Sequence, residues 1–214
     1  MNTSCLIKQV NVKTGNNLSD RQLVEKVLSG NTNAFEAVIR NTEGLVAQIV
    51  FKMINYAEER KDIAQDIYLK AFNKLPGFRF QSKLSTWIAQ IAYNTCLSFL
   101  DKKKLIFPDD NHWETESDNN QLERISNRSI DLSESENDRL IFQKELSKIL
   151  LSEIEKLTPI FKTLITLYHN EDMSYEEISV ITELPIGTVK NYLFRARKTL
   201  KEQLLQQYKK EDLC

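Results

Sequence analysis

Residues 173–205 read MSYEEISVITELPIGTVKNYLFRARKTLKEQLL. Within this stretch, Ser174 and Glu177 have the spacing of a capping box, which predicts a short helix beginning at Tyr175. A turn around Pro185 interrupts the helical pattern, and a longer helical period follows it. The stretch therefore predicts two helices joined by a tight turn.

The second of these helices is amphipathic. Its apolar positions recur every three or four residues and are Val189, Leu193, Ala196, Leu200 and Leu204. The other positions carry amides and five cations, with no acidic residue between Pro185 and Lys201. Because an ordinary solvated face usually mixes both signs, this face favours DNA as its partner. The pattern predicts a helix-turn-helix whose second helix enters the major groove.

The turn contains one unusual residue. Glu183 lies between Thr182 and Leu184, where a glycine often supplies a left-handed backbone conformation. If Glu183 adopts a positive φ, the conformation costs about 1 kcal/mol. We therefore expect backbone strain at this position if the helix-turn-helix forms.

Charge is distributed unevenly along the 214 residues. The net charge of −1 by itself argues against a protein that binds nucleic acid. Residues 1–107, however, carry 15 basic and 9 acidic side chains, residues 108–145 carry 4 and 11, and residues 146–214 carry 10 of each. An acidic middle segment thus masks a basic N-terminal half.

Composition indicates the fold class and excludes several kinds of site and segment. Four prolines and five glycines are few for this length, which favours an all-α fold. Cys5, Cys96 and Cys214 are far apart and odd in number, so neither a disulfide framework nor a metal site is expected. The sequence has no signal segment and no run long enough to span a bilayer. We expect a cytoplasmic protein without a cofactor.

Four helices are predicted after a polar extension at residues 1–18. Ser19 and Gln22 cap the first, whose stripe consists of Leu23, Val27 and Leu28, and Asn33 with Glu36 caps the second. The third, near residues 58–75, is expected to place Ile63, Ile67, Leu69, Ala71 and Phe72 inward. After a break at Pro76-Gly77 and a short loop, the fourth runs from about Ser85 to Leu100 and ends in three lysines.

An acidic linker separates this half from the helix-turn-helix. Residues 108–139 are polar and lack a sustained apolar period, so they cannot form a core of their own. The predicted architecture is therefore two small helical domains, at 19–107 and 140–214, joined by a flexible segment that allows the halves to lie far apart. The C-terminal domain contains the helix-turn-helix.

The loop and helix at residues 78–104 combine aromatic rings with cations and amides. Phe78, Phe80, Trp87, Tyr93 and Phe99 alternate with Arg79, Lys83, Asn94 and the three lysines. Such a mixture suits single-stranded nucleic acid, because rings stack on bases and cations hold phosphates. The same rings are also compatible with the core face of an amphipathic helix. Composition leaves both interpretations open.

Three stretches resemble one protein family. NAFEAVIRNTEGLV, DIAQDIYLKAFNKLPGFRFQSKLSTWIAQIAYN and SYEEISVITELPIGTVKNYLFRARKTL are similar to segments of the extracytoplasmic-function sigma factors, the small two-domain type of bacterial sigma factor. The resemblance covers about residues 19–104 and 140–207. It implies that the protein binds core RNA polymerase and directs promoter recognition, melting of the −10 element and transcription initiation.

The resemblance also implies roles for matched residues. Asp62, Gln65, Asp66 and Lys70 match the surface that docks on the clamp helices of the polymerase β′ subunit. Phe78, Arg79, Ser82, Lys83, Trp87, Asn94 and Ser98 match the segment that melts the −10 element and captures a flipped base. Thr188, Lys190, Asn191, Tyr192, Phe194, Arg195 and Lys198 match the helix that enters the major groove at the −35 element.

The implied partners are core RNA polymerase, through its β′ clamp helices and β flap, and promoter DNA. An anti-sigma factor is a further candidate for this family, although nothing in the chain identifies one. No membrane partner is expected.

Three alternatives remain at this point: a simple DNA-binding regulator, an enzyme, and a pure interaction module that is titrated by a regulator. A helix-turn-helix regulator that binds duplex DNA without joining polymerase would leave the segment Phe78–Trp87 unexplained. An enzyme is disfavoured, because the spacing supports no nucleotide loop, metal cluster or Ser/His/Asp arrangement. His169 at a helix end is interpreted as a surface or capping residue.

Overall fold

The structure is a computed structural model that describes residues 19–106 and 136–207. Within those ranges the chain forms α-helices, one short 3-10 turn at Leu75–Gly77 and no β-strand. The helices are α1 (Asp20–Leu28), α2 (Thr32–Met53), α3 (Ala57–Lys74), α4 (Leu84–Ile106), α5 (Glu136–Glu155), α6 (Pro159–His169), α7 (Tyr175–Thr182) and α8 (Ile186–Gln207). The all-α prediction is confirmed. The expected extension at residues 1–18 and residues 108–135 of the expected linker lie outside the described residues. Residues 136–139, also predicted as linker, belong to α5, because the helical period extends four residues further towards the N-terminus.

Local hydrogen bonds fix the starts of the first two helices. The capping box at α1 is confirmed, because the Ser19 hydroxyl accepts from Gln22 N–H and the Gln22 side chain accepts from Ser19 N–H. The predicted cap of α2 is wrong by two residues. Asn31 caps it instead, with its side-chain oxygen accepting from Ala34 N–H. The chain turns at Gly30, whose φ of 94° suits glycine, and this leaves Asn31 extended at the helix entrance.

Three apolar residues expected inside are exposed. Leu28 is 52% exposed, because Val24 fills the core position on the nine-residue helix α1. On α3 the buried stripe advances by four residues through Ile63, Ile67 and Ala71. Leu69 follows Ile67 by two residues and so points to the opposite face, where it is 64% exposed. Phe72 is 42% exposed on the same helix.

Helix α4 forms the centre of the N-terminal bundle. Its first N–H, from Leu84, donates to the Asp20 carboxylate at 2.8 Å, so α1 caps α4 with a negative charge. The buried residues Ile88, Ala92 and Cys96 recur every four positions along it. The helix ends at Ile106, six residues beyond the predicted end at Leu100. Because its apolar face is buried, its polar residues lie on the outer face.

The C-terminal bundle contains the predicted helix-turn-helix in α7 and α8. The second capping box is confirmed, with Ser174 and Glu177 bonding reciprocally at the start of α7. Glu183 adopts the left-handed conformation, with φ 58° and ψ 20°, as its position in the turn predicted. Val189 and Leu193 on α8 are fully buried against the bundle. The apolar stripe therefore holds the recognition helix in place and directs its polar side outward.

The two bundles pack directly on each other. Helix α2 lies against α6, and α4 lies against α7. The buried residues of both bundles form one continuous apolar cluster. The predicted linker would allow the halves to lie far apart, but in this arrangement they are in contact, because side chains of α2 and α4 find partners on the C-terminal bundle.

Candidate nucleic-acid interface

Three aromatic rings, two in the loop before α4 and one in the first turn of α4, pack against each other in tilted pairs. The Phe78 ring lies 4.8 Å from that of Phe80 and 5.1 Å from that of Trp87, measured between centroids. The Arg21 guanidinium lies 5.3 Å from the Phe80 ring centroid. The loop is thus held by ring packing and by a cation from α1.

These rings differ in exposure. Phe78 is only 8% exposed and Trp87 is half-buried, so both belong partly to the core. The sequence had left open that these rings form the core face of an amphipathic helix. Phe80 is 40% exposed and has a φ of 57°, a strained value for a bulky residue. A strained, exposed ring beside a cation is suited to stacking on an unpaired base. The sequence analysis named Phe80 among the aromatic rings of this segment but not among the residues matched to the −10 element, and its exposure and backbone conformation distinguish it from Phe78.

The outer face of α4 presents polar groups in line with this loop. Arg79 and Lys83 are exposed, and Asn94 is half-buried one turn before Ser98. The Ser98 hydroxyl donates to the Asn94 carbonyl at 2.8 Å, which fixes its direction. At the far end the Lys103 ammonium lies over the ring of Tyr56. Two cations thus lie in the loop itself, and Asn94 and Ser98 follow one turn apart on α4.

Helix α7 covers part of this face. Lys83 forms an ion pair with Glu177 at 2.8 Å, and Gln90 and Asn94 donate to the Glu183 carboxylate at 2.8 and 3.1 Å. The hydrogen bond from Lys83 holds the pKa of the Glu177 carboxyl below its ordinary value. The stabilisation that the ionised Glu177 gives to this contact is therefore complete above the ordinary carboxyl pKa. It is lost as pH falls through the lowered pKa of Glu177.

The second candidate surface is the outer face of α8. Lys190, Asn191 and Lys198 are exposed there, whereas Thr188, Tyr192, Phe194 and Arg195 are half-buried. The Tyr192 ring meets that of Phe161 edge-on at 5.9 Å, and the Arg195 guanidinium lies 6.0 Å from the same ring. Phe161 of α6 thus orients two of the side chains that the sequence placed at the −35 element.

Another cation of α8 faces α6 instead. The Arg197 guanidinium donates to His169 Nε2 at 3.3 Å and lies 5.0 Å from the Tyr168 ring centroid. Burial and the nearby guanidinium lower the pKa of His169 below its ordinary value. Arg197 therefore joins α8 to α6, and it is not among the residues expected to contact the −35 element.

The third surface lies on α2 and α3. Asp62, Gln65 and Asp66 are exposed in a row, and Lys70 bonds to Asp66 at 2.7 Å and to Thr95 of α4 at 3.3 Å. Beside them an apolar groove of about 600 Å³ is lined by Phe35, Ile39, Lys61, Ala64, Gln65, Tyr68, Leu69 and Phe72. Sequence reasoning assigned the groove leucine and phenylalanine to the core, because apolarity alone does not separate a core from a docking surface.

The described part of the chain contains neither a membrane-spanning helix nor a candidate metal cluster. No helix within residues 19–106 and 136–207 is long and apolar enough to cross a membrane. The same residues contain no group of three or more His, Cys, Asp or Glu side chains placed to hold a metal ion.

Comparison with protein families matches both bundles. Residues 38–106 match the model described as Sigma-70 region 2, and residues 147–200 match that described as Sigma-70, region 4. The first match contains α3, the aromatic loop and α4, and the second contains the helix-turn-helix. Sigma-70 regions 2 and 4 in one chain define a sigma factor of bacterial RNA polymerase.

Two relatives show which type of sigma factor the chain is. The chain is 31% identical over 187 residues to the ECF RNA polymerase sigma-E factor of Escherichia coli K12, covering 86% of this chain and 93% of the relative. It is 29% identical over 187 residues to the protein of the same name from Haemophilus influenzae, covering 87% and 96%. The chain belongs to the extracytoplasmic-function (ECF) sigma factors. It accordingly directs RNA polymerase to promoters and initiates transcription.

Solved structures share the fold. CnrH, solved in complex with the cytosolic domain of CnrY, superposes with a TM-score of 0.58 at 21% identity and covers 88% of this chain and 99% of its own. The sigma factor RpoE, solved with the anti-sigma factor NepR from Bartonella quintana, gives a TM-score of 0.53 at 24% identity over 81% and 98%. Both likenesses support the two-bundle helical fold.

Proposed function

We propose that the three surfaces divide the work of initiation among them. The N-terminal domain, residues 19–107, binds polymerase and the −10 element, and the C-terminal domain, residues 140–214, binds the −35 element. The observation that carries this division is the placement of a basic aromatic face and a basic recognition helix on separate bundles of one chain. Family membership supplies the polymerase as partner.

In this proposal the loop and α4 hold the melted −10 strand. Each base-pair step that opens loses about 1.4 kcal/mol of stacking. A base stacked on an aromatic ring regains roughly 1–3 kcal/mol, so the exposed Phe80 can offset one or two steps. The supporting set is Phe78, Arg79, Ser82, Lys83, Trp87, Asn94 and Ser98. Phe78 is buried in the described conformation, so its part is to support the loop.

The outer face of α8 reads the −35 element in the major groove. Lys190, Asn191 and Arg195 have the donors that recognise purine edges, and each such contact discriminates by roughly 1–3 kcal/mol. Lys198 lies further along the same exposed side and neutralises phosphate. Thr188, Tyr192 and Phe194 complete the surface. In this proposal, these contacts and those of the −10 face together determine which promoter sequence the protein recognises.

Core polymerase docks on α3 in the same proposal. Asp62, Gln65, Asp66 and Lys70 supply polar contacts to the β′ clamp helices, and the groove containing Leu69 and Phe72 supplies the apolar contact. Polar residues rimming an apolar centre have the composition of a protein interface. The β flap is the partner of the C-terminal bundle.

Regulation and location are inferred from the relatives. One matched structure was solved with the cytosolic domain of CnrY and another with the anti-sigma factor NepR, and we infer that an anti-sigma factor is a partner of this chain as well. RNA polymerase is in the cytoplasm, and we place the protein there. Its activity is binding, and the reaction is catalysed by the polymerase.

The test is transcription in vitro. Purified core polymerase is incubated with and without the protein on a pool of fragments from its own genome, and the transcripts are sequenced. We expect transcripts that depend on the protein and share a two-part motif upstream of their starts. Binding to duplex DNA without core polymerase, and no dependent transcripts, would instead indicate a simple helix-turn-helix regulator.

A further inference from the structure

A cation of α1 lies over the exposed ring of the aromatic loop. The Arg21 guanidinium is 5.3 Å from the Phe80 ring centroid, and Phe80 in turn packs on Phe78. The Arg21 side chain is 73% exposed, so the cation lies at the solvent-facing end of this group of rings. The residues matched to the −10 element all belong to the loop and α4, and Arg21 is outside them.

Helix α1 fixes the position of Arg21 relative to the loop. The neighbouring Asp20 carboxylate accepts from Leu84 N–H at 2.8 Å, at the point where the loop ends and α4 begins. The helix also packs on the turn Leu75–Gly77, from which the loop starts. Three buried side chains anchor α1 in the bundle, namely Leu23, Val24 and Val27. Arg21 is therefore presented to the loop by a rigid element, as a binding residue requires.

Local stability explains neither Arg21 nor Phe80. Arg21 is the second residue of α1, where the positive end of the helix dipole disfavours a cation. Its ion pair with Glu25 spans 4.0 Å between side chains that are 73% and 68% exposed, and such a pair contributes little. Phe80 has a φ of 57°, a conformation that favours glycine. Locally unfavourable residues cluster at functional sites, and these two residues contact each other at the surface.

The chemistry of the pair suits one nucleotide of a single strand. A planar guanidinium binds phosphate oxygens through two parallel N–H groups, and an exposed ring stacks on a base. In a single strand each base is joined through its sugar to a phosphate, so an adjacent ring and cation can hold both parts. In a duplex the base faces are already stacked, and the ring would have no partner.

The surroundings favour a nucleic acid over an acidic protein segment. Arg79 and Lys83 of the same loop are exposed, so the rings lie among several cations. A carboxylate ligand would use the cations but would leave the exposed Phe80 ring without a stacking partner. A strand of DNA uses both, because its phosphates and bases alternate in space.

We propose that Arg21 is a further residue of the −10 site and binds the phosphate of the nucleotide whose base stacks on Phe80. The proposal rests on the proposed function of the loop and extends that site to α1. A phosphate contact carries no base sequence information. Arg21 therefore holds the captured strand in place, and the selection of the base is left to the loop and α4.

A phosphate contact has a characteristic dependence on salt. Each phosphate neutralised on a single strand contributes about −0.7 to the slope of log K against log salt concentration. Loss of one contact therefore reduces the slope by about 0.7 and weakens binding about fivefold at 0.1 M salt relative to 1 M salt. A residue that only supports the loop would change the affinity without changing this slope.

The test uses the holoenzyme, which is the complex of core polymerase with the full chain. The probe is a fluorescent single-stranded oligonucleotide carrying the non-template −10 sequence of a promoter that the holoenzyme transcribes. Anisotropy gives its Kd over a series of salt concentrations, for wild type and for Arg21→Gln. We expect Arg21→Gln to bind about fivefold more weakly at about 0.1 M salt, with a slope reduced by about 0.7. Arg21→Lys keeps the charge and should retain most of the slope.

Two further variants complete the design. Lys26→Gln removes one exposed cation from the same helix, about 140° round the helix from Arg21, and should match wild type. Phe80→Gly removes the ring and should weaken binding about 5- to 140-fold with an unchanged slope. If one nucleotide uses both residues, Arg21→Gln should cost less than fivefold in the Phe80→Gly background. Independent losses would place the residues on different nucleotides and overturn that part of the proposal.

Thermal melts of the free chain separate binding from folding. Arg21→Gln should melt at or above wild type, because it removes a cation from the start of a helix. A lower melting temperature together with an unchanged salt slope would mean that Arg21 only supports the loop, and the proposal would be wrong. Equal changes in Arg21→Gln and Lys26→Gln would also overturn it, because they would indicate a general charge effect.

Failure of this proposal can be distinguished from failure of the proposed function. Wild-type holoenzyme is compared on the −10 oligonucleotide and on one of scrambled sequence. If it prefers the −10 sequence while Arg21→Gln binds with unchanged affinity and slope, only the role of Arg21 is refuted. If wild-type holoenzyme shows no preference, the assignment of the loop to the −10 element falls as well.

Discussion

Substitution of Leu69 by alanine should weaken the binding of core polymerase without destabilising the protein. Leu69 lies in the groove on α3, and 64% of its surface is exposed in the free chain. Complete burial of a leucine side chain stabilises by about 1.5–3 kcal/mol, so burying the exposed part on docking contributes about 1–2 kcal/mol. Truncation to alanine removes most of that contribution, which corresponds to an increase in Kd of about 5- to 30-fold.

The assay is titration of labelled protein with core polymerase, followed by fluorescence anisotropy, with a thermal melt of each variant. Leu28→Ala is the matched control, because this leucine is 52% exposed and does not line the groove. Both variants should melt close to wild type, since neither side chain fills the core. Wild-type affinity for Leu69→Ala, or an equal loss for Leu28→Ala, would refute the assignment of the groove to polymerase.

Three further predictions concern α4, α6 and α8. Arg195→Ala should weaken −35 binding by about 1–3 kcal/mol in a duplex binding assay and leave core binding unchanged, whereas Lys148→Ala, which removes an exposed cation of α5, should change neither. Asn94→Ala should reduce holoenzyme transcription more on duplex templates than on pre-melted ones, and equal losses would remove its role in opening. Because the pKa of His169 beside Arg197 is lowered, its contribution to stability is complete above about pH 6.5 and is lost as pH falls through the lowered value. His169→Gln should flatten that part of the melting temperature measured against pH.

The most predictable features of the fold were those that depend on residues close together in the sequence. Both capping boxes, at Ser19 and Ser174, involve partners three residues apart, so the sequence contains all that is needed. The apolar period of α8 likewise identified Val189 and Leu193 as buried. Asn31 and Asn33 both have side chains suited to a helix N-cap, so the local sequence does not distinguish them. The direction of the chain after Gly30 leaves Asn31 at the helix entrance, and Asn31 is therefore the cap.

Long-range features could not be predicted in the same way. Leu69 and Phe72 are as apolar as core residues, and only the rotation of α3 in the bundle exposes them. The packing of the two bundles combines a shared apolar cluster with polar pairs such as Lys83 with Glu177, and pairs of this kind have no periodic signature. Glu183 was recognised as unusual for its turn, but its partners on α4 become apparent only when the halves are placed together.

The contacts between the bundles also bear on the order in which the molecule forms. They join residues far apart in the chain: 94 positions separate Lys83 from Glu177, 103 separate Lys52 from Glu155, and 107 separate Asn55 from Lys162. Domains generally fold as units, beginning at the N-terminus during synthesis. The first bundle is complete by Ile106, so we expect it to fold on the ribosome while α7 is still unmade. During that interval the nascent chain carries an uncovered α4 face, and the closed arrangement is the last part of the structure to assemble.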